Sequence, residues 1–486
     1  MGLVEIAASI AAALSIGLLT RGAWRTYLLL AVSVFAVYWL QPALPLRSVD
    51  FWLPSLTLAL VVLTWSVTAQ PDAWRARQNV IALSIILGVP IFLVLSRYLF
   101  SESILAASTP SIILYAAFLV GVTIAVLALT WLAGRGTWVL PVIIVLLIAI
   151  LVALKTPELS LQVSILFRTL LNRPIDNALA TDLRWLGFSY IAFRLIHVLR
   201  DRSRSPQFPL SRSERNGQTG RLPELSLAEF GTYVVFFPSL VAGPIDRAER
   251  FAQDLRKEFQ LTQEETLFAG QRLAIGLFKK FVIADVLAWI ALNDTLSTQV
   301  RTTGWMWVIV YAYAFQIYFD FSGYTDIAIG VARFAGVKLP ENFAGPYLKP
   351  NLTQFWNSWH MTLTQWIRSY FFNPFNRWIR GYKSIPAWGM IFIGQVATML
   401  IIGLWHGITL NFVLWGLWHG LGLFVQNRWS DFAKTRFSGS NPRFQSAFQI
   451  GGILLTFHFV ALGWVFFALS SPSLSWHVLL KLLGLL

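Results

Sequence analysis

The sequence predicts an all-α polytopic membrane protein with about 10–12 transmembrane helices, together with re-entrant and amphipathic helices. Of its 486 residues, 56% are hydrophobic and only 13% are charged, whereas a soluble chain carries roughly 25% charged residues. Apolar runs long enough to cross a hydrocarbon core of about 30 Å occur along the whole chain. Together these two observations indicate a chain that lies mostly within a membrane.

The charge balance points to a membrane surface and away from nucleic acid. The net charge is +15, and in a membrane protein such an excess is typical of cytoplasmic loops that face anionic lipid. No basic stretch is interleaved with aromatic side chains, as a nucleic-acid groove would require. We therefore expect a multi-pass protein of the cell membrane (plasma or inner membrane), with membrane lipid and no nucleic acid among its partners.

Several common catalytic motifs are absent from the sequence. The chain has no Cys, which excludes thiolate nucleophiles, covalent acyl-cysteine intermediates and Cys-ligated zinc. It also lacks the G-x-S-x-G, H-E-x-x-H and P-loop signatures. We therefore expect no metal site and no tightly bound cofactor.

The first predicted region, 1–154, is a scaffold of transmembrane helices with few polar residues inside them. Its Arg-rich connectors alternate with connectors of low charge, which predicts an N-terminus outside the cell. The same alternation places loop 100–109 outside and the Arg-rich loop 200–221 in the cytoplasm. The apolar runs lie at about 3–20, 26–46, 51–70, 80–99, 110–133 and 138–154.

The second predicted region, 155–427, is the catalytic core, and the third, 428–486, is a basic loop followed by a transmembrane helix. Within the core, Pro and Gly residues interrupt the apolar segment 229–251, and broken backbone at membrane depth is tolerated only when protein buries it or it lines a cavity. We therefore expect a re-entrant element there. The other core segments are an amphipathic stretch at 155–184, a span at 185–199 and a long segment at 263–296.

Polar side chains are concentrated in one apolar run of the core, where Gln316, Asp320, Ser322 and Asp326 occur together. Burying a carboxylate in hydrocarbon costs several kcal/mol, so such residues usually face a bundle interior or a wet cavity. The two carboxylates lie about 120° apart on a helix, which is unfavourable for sharing a proton. We expect them to hold structure around a cavity and to take no part in chemistry.

A helix is predicted to begin at Asn351, with Asn351 as the N-cap and Gln354 as its capping-box partner. If that helix continues, one polar sector carries Asn357, His360, Thr364 and Arg368. This face could belong to an active site. It could equally be the headgroup-facing side of an interfacial helix, a common role for Trp-rich amphipathic stretches.

His406 lies between two apolar spans and is flanked by Gly403 and Gly407, so the helix should end or bend there. Its imidazole can act as a general base near neutral pH, or it can be a structural hydrogen-bonding group between helices. His419 repeats the Leu-Trp-His-Gly tetrapeptide, but on a continuous helix it points about 140° away from His406. We expect a structural or supporting role for His419. The remaining histidines, His197, His458 and His477, show no polar company in the sequence.

The stretch FDFSGYTDIAIGVARFAGVKLPENFAGPYL, followed by FWNSWHMTLTQWIRSYFF and GLWHG, resembles the membrane-bound O-acyltransferase (MBOAT) family. FFPSLVAGPIDR and FHFVALGWVFF match the same bacterial branch, which contains alginate O-acetyltransferase and the D-alanyl transferase of teichoic acids. The resemblance covers about 155–467. It implies a ring of tilted helices around a central tunnel, in which a cytoplasmic acyl thioester meets a hydroxyl acceptor.

Carried over residue by residue, the resemblance makes His406 the principal catalytic histidine and His360 the second one. We assign the general base to His406, and to His360 either positioning of the thioester or stabilisation of the oxyanion. The branch usually has Asp where Ser369 stands, so an ion pair at Arg368 and the identity of the acceptor do not carry over. The candidate supporting or substrate-binding residues are Asn357, Thr364, Arg368, Trp405, Gln316, Asp320 and Tyr324.

The predicted function is O-acyl transfer, most simply of an acetyl group, to a cell-surface or secreted polysaccharide. The thioester donor would be acetyl-CoA or an acyl carrier protein on the cytoplasmic side, and the further partner would be the polysaccharide or a periplasmic or extracellular partner acyltransferase. One alternative within the family is transfer of D-alanyl or another acyl group from a phosphopantetheinyl carrier protein. An alternative of another class is a proton-coupled transporter, against which stands the lack of an inverted repeat.

Overall fold

The computed structural model describes residues 2–46, 48–99, 109–136, 138–170, 173–203, 224–436 and 441–486. Helices make up the regular structure of these ranges, which contain no strand, and the predicted all-α class is confirmed. The chain packs as two compact units, Met1–Arg272 with Ile327–Leu339, and Leu273–Asp326 with Pro340–Leu486. The three regions predicted from the sequence stay a prediction.

The first unit is built from eleven α-helices, of which the first six follow the six predicted apolar runs closely. The last of the eleven continues a few residues into the second unit. The helices are α1 (Leu3–Leu19), α2 (Ala23–Trp39), α3 (Val49–Thr68), α4 (Arg77–Leu99), α5 (Ile112–Ala133), α6 (Val139–Lys155), α7 (Pro157–Leu170), α8 (Phe188–Ser203), α9 (Leu227–Val235), α10 (Ala248–Arg256) and α11 (Gln263–Leu277).

The backbone is buried and broken where the re-entrant element is predicted, whereas its re-entry into the membrane stays a prediction. Helix α9 ends at Val235, a short 3₁₀ turn covers Phe237–Ser239, and α10 begins only at Ala248. The buried guanidinium of Arg194 donates to the carbonyl oxygens of Val234 (2.8 Å) and Ser239 (2.9 Å). A side chain from α8 therefore satisfies carbonyl groups that the break leaves without helical partners, as the lack of water at such a position requires.

The second unit holds the remaining ten α-helices and two π-helical segments, Phe278–Ala284 and Arg368–Phe372. The helix α14 is the longest, and its last residues belong to the first unit. The helices are α12 (Asp285–Ala288), α13 (Asp294–Gln299), α14 (Thr303–Phe334), α15 (Leu352–Trp356), α16 (Met361–Ile367), α17 (Asn373–Ile379), α18 (Ala387–His406), α19 (Leu410–Arg436), α20 (Pro442–Ala468) and α21 (Pro472–Leu482).

Helices α18 and α19 form a closely packed hairpin because glycines line their contact. A Cβ built on Gly403 would overlap the carbonyl oxygen of Phe412, and one on Gly416 would lie 2.8 Å from that of Met399. Small residues allow helix backbones to approach in a membrane, where the hydrophobic effect does not drive helices together. This close packing holds the carboxyl end of α18, and with it His406, against the amino end of α19.

Five described helices, α3, α4, α5, α18 and α20, are long and apolar enough to cross a membrane. A sixth span results if α6 and α7, which meet at 95°, count as one broken segment. Helices α1 and α2 are apolar but shorter, at 17 residues each. The predicted number of spans therefore stays a prediction. So does the orientation, since residues 100–108 and 204–223, from loops 100–109 and 200–221, lie outside the described residues.

Candidate active site

His360 lies at a break between two short helices, so the predicted continuous helix from Asn351 is wrong. Its start is confirmed, since the Gln354 backbone N–H donates to Asn351 Oδ1 at 2.9 Å. However, α15 ends at Trp356, and His360 adopts a left-handed backbone with φ +42° before α16 begins. At the start of α16, Met361 N donates to the backbone carbonyl of Asn342 (2.9 Å), a residue outside the segment, and not to a carbonyl one helical turn earlier. A new helix start replaces the predicted continuation.

The imidazole of His360 is buried, with 3% of the residue exposed. Its Nδ1 lies 3.1 Å from Asn342 Oδ1, and the edge of Phe321 packs against the ring at a centroid distance of 4.7 Å. Burial lowers the pKa of His360 to about 3, so the ring is neutral at physiological pH. A buried, neutral side chain does not fit the alternative of a headgroup-facing histidine.

His406 is the last residue of α18, and Gly407 continues in an extended conformation before α19 begins at Leu410. The predicted end of the helix at His406 is therefore confirmed. The His406 ring is half-buried and packs against Phe467 at a centroid distance of 4.7 Å and against Trp405 at 4.5 Å. The helix end thus directs the imidazole into a cluster of aromatic rings.

The rings of the two candidate histidines both pack against the indole of Trp405. The Trp405 ring lies 6.0 Å from the His360 ring and 4.5 Å from the His406 ring, centroid to centroid. Both distances are within the usual range for packed aromatic pairs. The structure therefore brings together three of the residues that the sequence singled out, from two separate segments of the second unit.

His419 is fully buried, and no described residue hydrogen-bonds either of its ring nitrogens. It packs on Trp415, whose ring also contacts His406, with centroid distances of 4.8 Å and 5.8 Å. The predicted angle of about 140° between the two histidines holds only on a continuous helix, and the chain between them is broken at 407–409. The close packing of aromatic rings around His419, not its rotation, is what favours a structural role.

The supporting residues form short local contacts. Arg368 donates to Asn357 Oδ1 at 2.6 Å, so this described partner is a neutral amide and not a carboxylate. Thr364 Oγ1 reaches the carbonyl of Trp359 at 3.4 Å. Gln316 is half-buried and Tyr324 is buried on α14. Of the four residues predicted to share one polar helix face, only Asn357 and Arg368 are hydrogen-bonded to each other through their side chains.

The carboxylates of α14 are paired with lysines that the sequence analysis did not assign to them. Lys279 Nζ lies 2.7 Å from Asp326 Oδ2, and Lys280 Nζ lies 2.5 Å from Asp320 Oδ1. The Asp326 side chain is 7% exposed, whereas that of Asp320 is 50% exposed. These pairs could have been predicted from the sequence, because two adjacent lysines in an otherwise apolar segment need charged partners when they are buried.

Two of the histidines set aside in the sequence have polar neighbours after all. The Tyr311 hydroxyl lies 2.9 Å from His458 Nε2, and His197 Nε2 lies 3.4 Å from an Asp201 carboxylate oxygen one helical turn away. The expectation that these two lack polar company was therefore wrong. Asn342, which contacts His360, was missed, although it lies in the stretch FDFSGYTDIAIGVARFAGVKLPENFAGPYL that carries the family resemblance.

An open cavity of about 850 Å³ lies next to two of the aromatic rings that pack against His406, although His406 itself is not part of its wall. Phe412 and Phe467, which contact the His406 ring, belong to its wall. No group of three or more metal-ligating side chains occurs among the described residues. The cavity is lined by Trp289, Asn293, Asp294, Thr295, Leu296, Thr409, Phe412, Phe467, Ala468, Leu469 and Ser470.

Known proteins show similarity to most of this chain. A peptidoglycan O-acetyltransferase of Helicobacter pylori is 36% identical over 263 residues, which are 53% of this chain and 47% of that protein. A teichoic acid D-alanyltransferase of Bacillus subtilis is 32% identical over 296 residues, or 58% and 68% of the two chains. A probable alginate O-acetylase AlgI of Pseudomonas syringae pv. tomato is 34% identical over 242 residues, or 50% and 43%.

The matched part of this chain thus spans about half the length of the first and third of these relatives. The sequence profile of the MBOAT, membrane-bound O-acyltransferase family matches residues 24–471, which is nearly the whole chain and more than the stretch on which the resemblance rested. The chain belongs to the membrane-bound O-acyltransferase family.

Proposed function

We propose that this protein is an integral-membrane enzyme that moves an acyl group from a thioester donor to a hydroxyl group of a cell-surface or secreted polysaccharide. The observation that carries the proposal is the meeting of His360 and His406 on the indole of Trp405, beside a cavity, in a chain of this family. The three relatives are named for peptidoglycan, teichoic acid and alginate, all of them polymers with acyl-accepting groups.

The chemistry requires little more than a base and correct placement. The hydroxyl oxygen of the acceptor bonds to the thioester carbonyl carbon, and the carbon–sulfur bond breaks. The hydroxyl proton passes to an imidazole and then to the departing thiolate, which leaves as a thiol. Since the chain has no Cys, transfer proceeds directly, without a cysteine-bound intermediate.

His406 is the proposed general base. It is half-buried at a helix end, and Phe412 and Phe467, which pack against its ring, form part of the wall of the open cavity. We propose that the acceptor hydroxyl enters from that cavity. His360 is deeper and neutral, and it serves to position a reactant. General-base catalysis by a positioned side chain contributes typically about 10²–10⁴-fold to the rate.

The identity of the acyl group separates two candidates. Acetyl is favoured because two of the relatives are named for O-acetylation. D-alanyl delivered by a phosphopantetheinyl carrier protein is the second candidate, because the D-alanyltransferase is the relative matched over the larger share of its length. In both cases we propose that the donor approaches from the cytoplasm and that the protein resides in the plasma or inner membrane.

Mass spectrometry of ester-linked groups on surface glycans tests the proposal. Cells that carry the wild-type gene, a deletion, or the His360→Ala/His406→Ala double variant are compared at equal protein level. Loss of one ester type in both the deletion and the double variant is the expected result, and its mass distinguishes acetyl from D-alanyl. An unchanged ester content in the deletion strain would reject acyl transfer and favour the transporter alternative.

A further inference from the structure

The side-chain oxygen of Asn342 lies at the centre of a small buried hydrogen-bond network next to His360. It accepts hydrogen bonds from Thr362 N at 3.2 Å and from Thr362 Oγ1 at 2.9 Å. The same oxygen lies 3.1 Å from His360 Nδ1. Asn342 itself is fully buried. Three groups therefore lie close to one amide oxygen, beside the break between α15 and α16.

This network decides which ring nitrogen of His360 carries the proton. A backbone N–H can only donate, so the Asn342 atom that faces Thr362 N must be the oxygen and not the amide nitrogen. An amide oxygen can only accept, so His360 Nδ1 must be the donor of the third bond. In a neutral imidazole, a proton on Nδ1 leaves a lone pair on Nε2.

The other ring nitrogen of His360, Nε2, is available as a hydrogen-bond acceptor. His360 Nε2 is buried, and no described residue hydrogen-bonds it. Buried polar atoms without a partner are uncommon and call for an explanation such as a missing ligand or a catalytic role. A buried lone pair on a ring that packs against Trp405, which in turn packs against His406, is suited to an N–H or O–H group of a reactant.

We propose that Asn342 is a positioning residue that holds His360 in the Nδ1–H tautomer and so makes Nε2 a hydrogen-bond acceptor for a reactant. The inference rests on the acyl-transfer function proposed above. The reactant group is either an amide N–H of a pantetheine arm or the acceptor hydroxyl, both of which donate. A neutral His360 in this tautomer cannot donate from Nε2 to an oxyanion. Of the two roles predicted for His360, only positioning remains.

Asn342 also holds the backbone that carries the ring. His360 has φ +42°, in the left-handed region that residues with a Cβ rarely adopt. The Asn342 backbone carbonyl accepts from Met361 N at 2.9 Å, and its side chain accepts from Thr362 N. Since strained backbone persists only where the surroundings over-determine it, a single residue fixes the backbone, the orientation and the tautomer of His360.

The tautomer can be read directly by NMR of the purified protein labelled with ¹³C and ¹⁵N in histidine. The His360 signals are identified by their loss in His360→Gln. The expected wild-type spectrum shows His360 protonated at Nδ1, and Asn342→Leu moves the population towards the Nε2–H form. The matched control is Asn411→Leu, which removes another buried Asn whose Nδ2 donates to the Leu469 carbonyl and to Ser475 Oγ. It should leave the His360 signals unchanged.

Either an Nε2–H form in the wild type or an unchanged tautomer in Asn342→Leu would overturn the proposal. Neither readout requires turnover, so they decide the role of Asn342 even if no acyl transfer is found. If no acyl transfer is found, the proposed function is rejected, while the role of Asn342 is still decided by NMR.

Asn342→Asp supplies a second test that does not depend on Asn342→Leu folding. No described residue hydrogen-bonds Asn342 Nδ2, so replacing that nitrogen by oxygen breaks no described bond. The new carboxylate favours the imidazolium form of His360, which turns Nε2 into a donor. We expect acyl transfer to fall about 10- to 100-fold, the effect of losing one hydrogen bond in a buried site, with recovery as pH rises.

The Asp variant also identifies the reactant that Nε2 contacts. A rise in KM for the thioester alone indicates the pantetheine amide, whereas a rise for the acceptor alone indicates its hydroxyl. Activity equal to or above wild type, at a pH where NMR shows His360 as the imidazolium, would mean that an Nε2–H donor serves the reaction. That result would overturn the assignment of Nε2 as an acceptor.

Discussion

His406 and His419 have the same neighbours in sequence but opposite surroundings in the fold. His406 is half-buried at a helix end beside an open cavity, whereas His419 is fully enclosed by aromatic rings that include Trp356 and Trp415. An enclosed side chain contributes chiefly to packing, and a side chain beside a cavity can meet a substrate. The two residues therefore provide a pair of variants with contrasting expected effects.

We predict that His406→Ala lowers the rate of acyl transfer by about 10²–10⁴-fold with a small change in thermal stability. His419→Ala should show the reverse. It leaves a cavity among packed rings and should lower the midpoint of thermal unfolding clearly, while the folded fraction keeps its activity within about tenfold. Both quantities are measured on purified, monodisperse protein. If His406→Ala were active and folded His419→Ala inactive, the base assignment would be wrong.

At the scale of helices, the π-helical segment Phe278–Ala284 is joined to α14 by two ion pairs. Lys279 pairs with Asp326 and Lys280 with Asp320, and a Cβ on Gly323 would lie 2.9 Å from the carbonyl of Gly276. Breaking a buried pair leaves an uncompensated charge, whereas an exposed pair contributes little. The expectation from the sequence that the two carboxylates hold structure therefore applies more strongly to Asp326 than to Asp320.

We predict that Asp326→Asn lowers the yield of folded protein in detergent much more than Asp320→Asn does, because the Asp326 carboxylate is 7% exposed and that of Asp320 is 50% exposed. Fluorescence-detected gel filtration gives the yield. The charge exchange Lys279→Asp/Asp326→Lys should restore part of the loss. A well-folded Asp326→Asn protein that binds donor but no longer turns over would assign this carboxylate to the chemistry instead.

The hairpin of α18 and α19 depends on the absence of side chains at its glycines. We predict that Gly416→Ala lowers the unfolding midpoint and the activity together, because the new Cβ would lie 2.8 Å from the Met399 carbonyl and push apart the helices that hold His406. The matched control is Gly451→Ala on α20, where no atom lies within 4 Å of the added Cβ.

In the control, Ala should leave stability unchanged or raise it by up to about 1 kcal/mol through helix propensity. Thermal unfolding followed by tryptophan fluorescence compares the two variants. Equal behaviour of Gly416→Ala and Gly451→Ala would show that the hairpin tolerates wider spacing.

For the whole molecule, the orientation of the helices in the membrane determines which side the cavity near His406 faces. The basic loop that begins at Arg428 is predicted to be cytoplasmic. If α20 crosses the membrane, its far end at Ala468, and the cavity rim at Ser470, then face outside. This orientation would open the cavity beside His406 to an acceptor from the extracellular side.

We predict that a membrane-impermeant thiol reagent labels Ser470→Cys in intact cells and leaves a cysteine at Ser430 or at position 210 unlabelled. The chain has no native Cys, so each variant reports a single site. Permeabilised cells should show labelling at all three positions, which serves as the control for access. Labelling of Ser430→Cys but not Ser470→Cys in intact cells would show that the orientation and the direction of transfer are the reverse of those proposed.

Features that depend on a local pattern were predictable from the sequence. Apolar run length and Pro/Gly position depend only on neighbouring residues, and they correctly predicted α1 to α6, the broken element after α9 and the helix end at His406. The motifs also identified the family correctly. The two histidines could be named for the same reason, since each lies in a motif of its own.

Only the tertiary structure decided how those histidines are held. Asn342 hydrogen-bonds the backbone where the predicted helix is broken and places its side-chain oxygen at His360 Nδ1, and Lys279 and Lys280 pair with Asp326 and Asp320 from another helix. Helical periodicity describes one segment at a time and contains no information about a partner that arrives from elsewhere in the chain. Because hydrogen bonds and ion pairs act over about 3 Å, such partners become visible only when the segments are packed together.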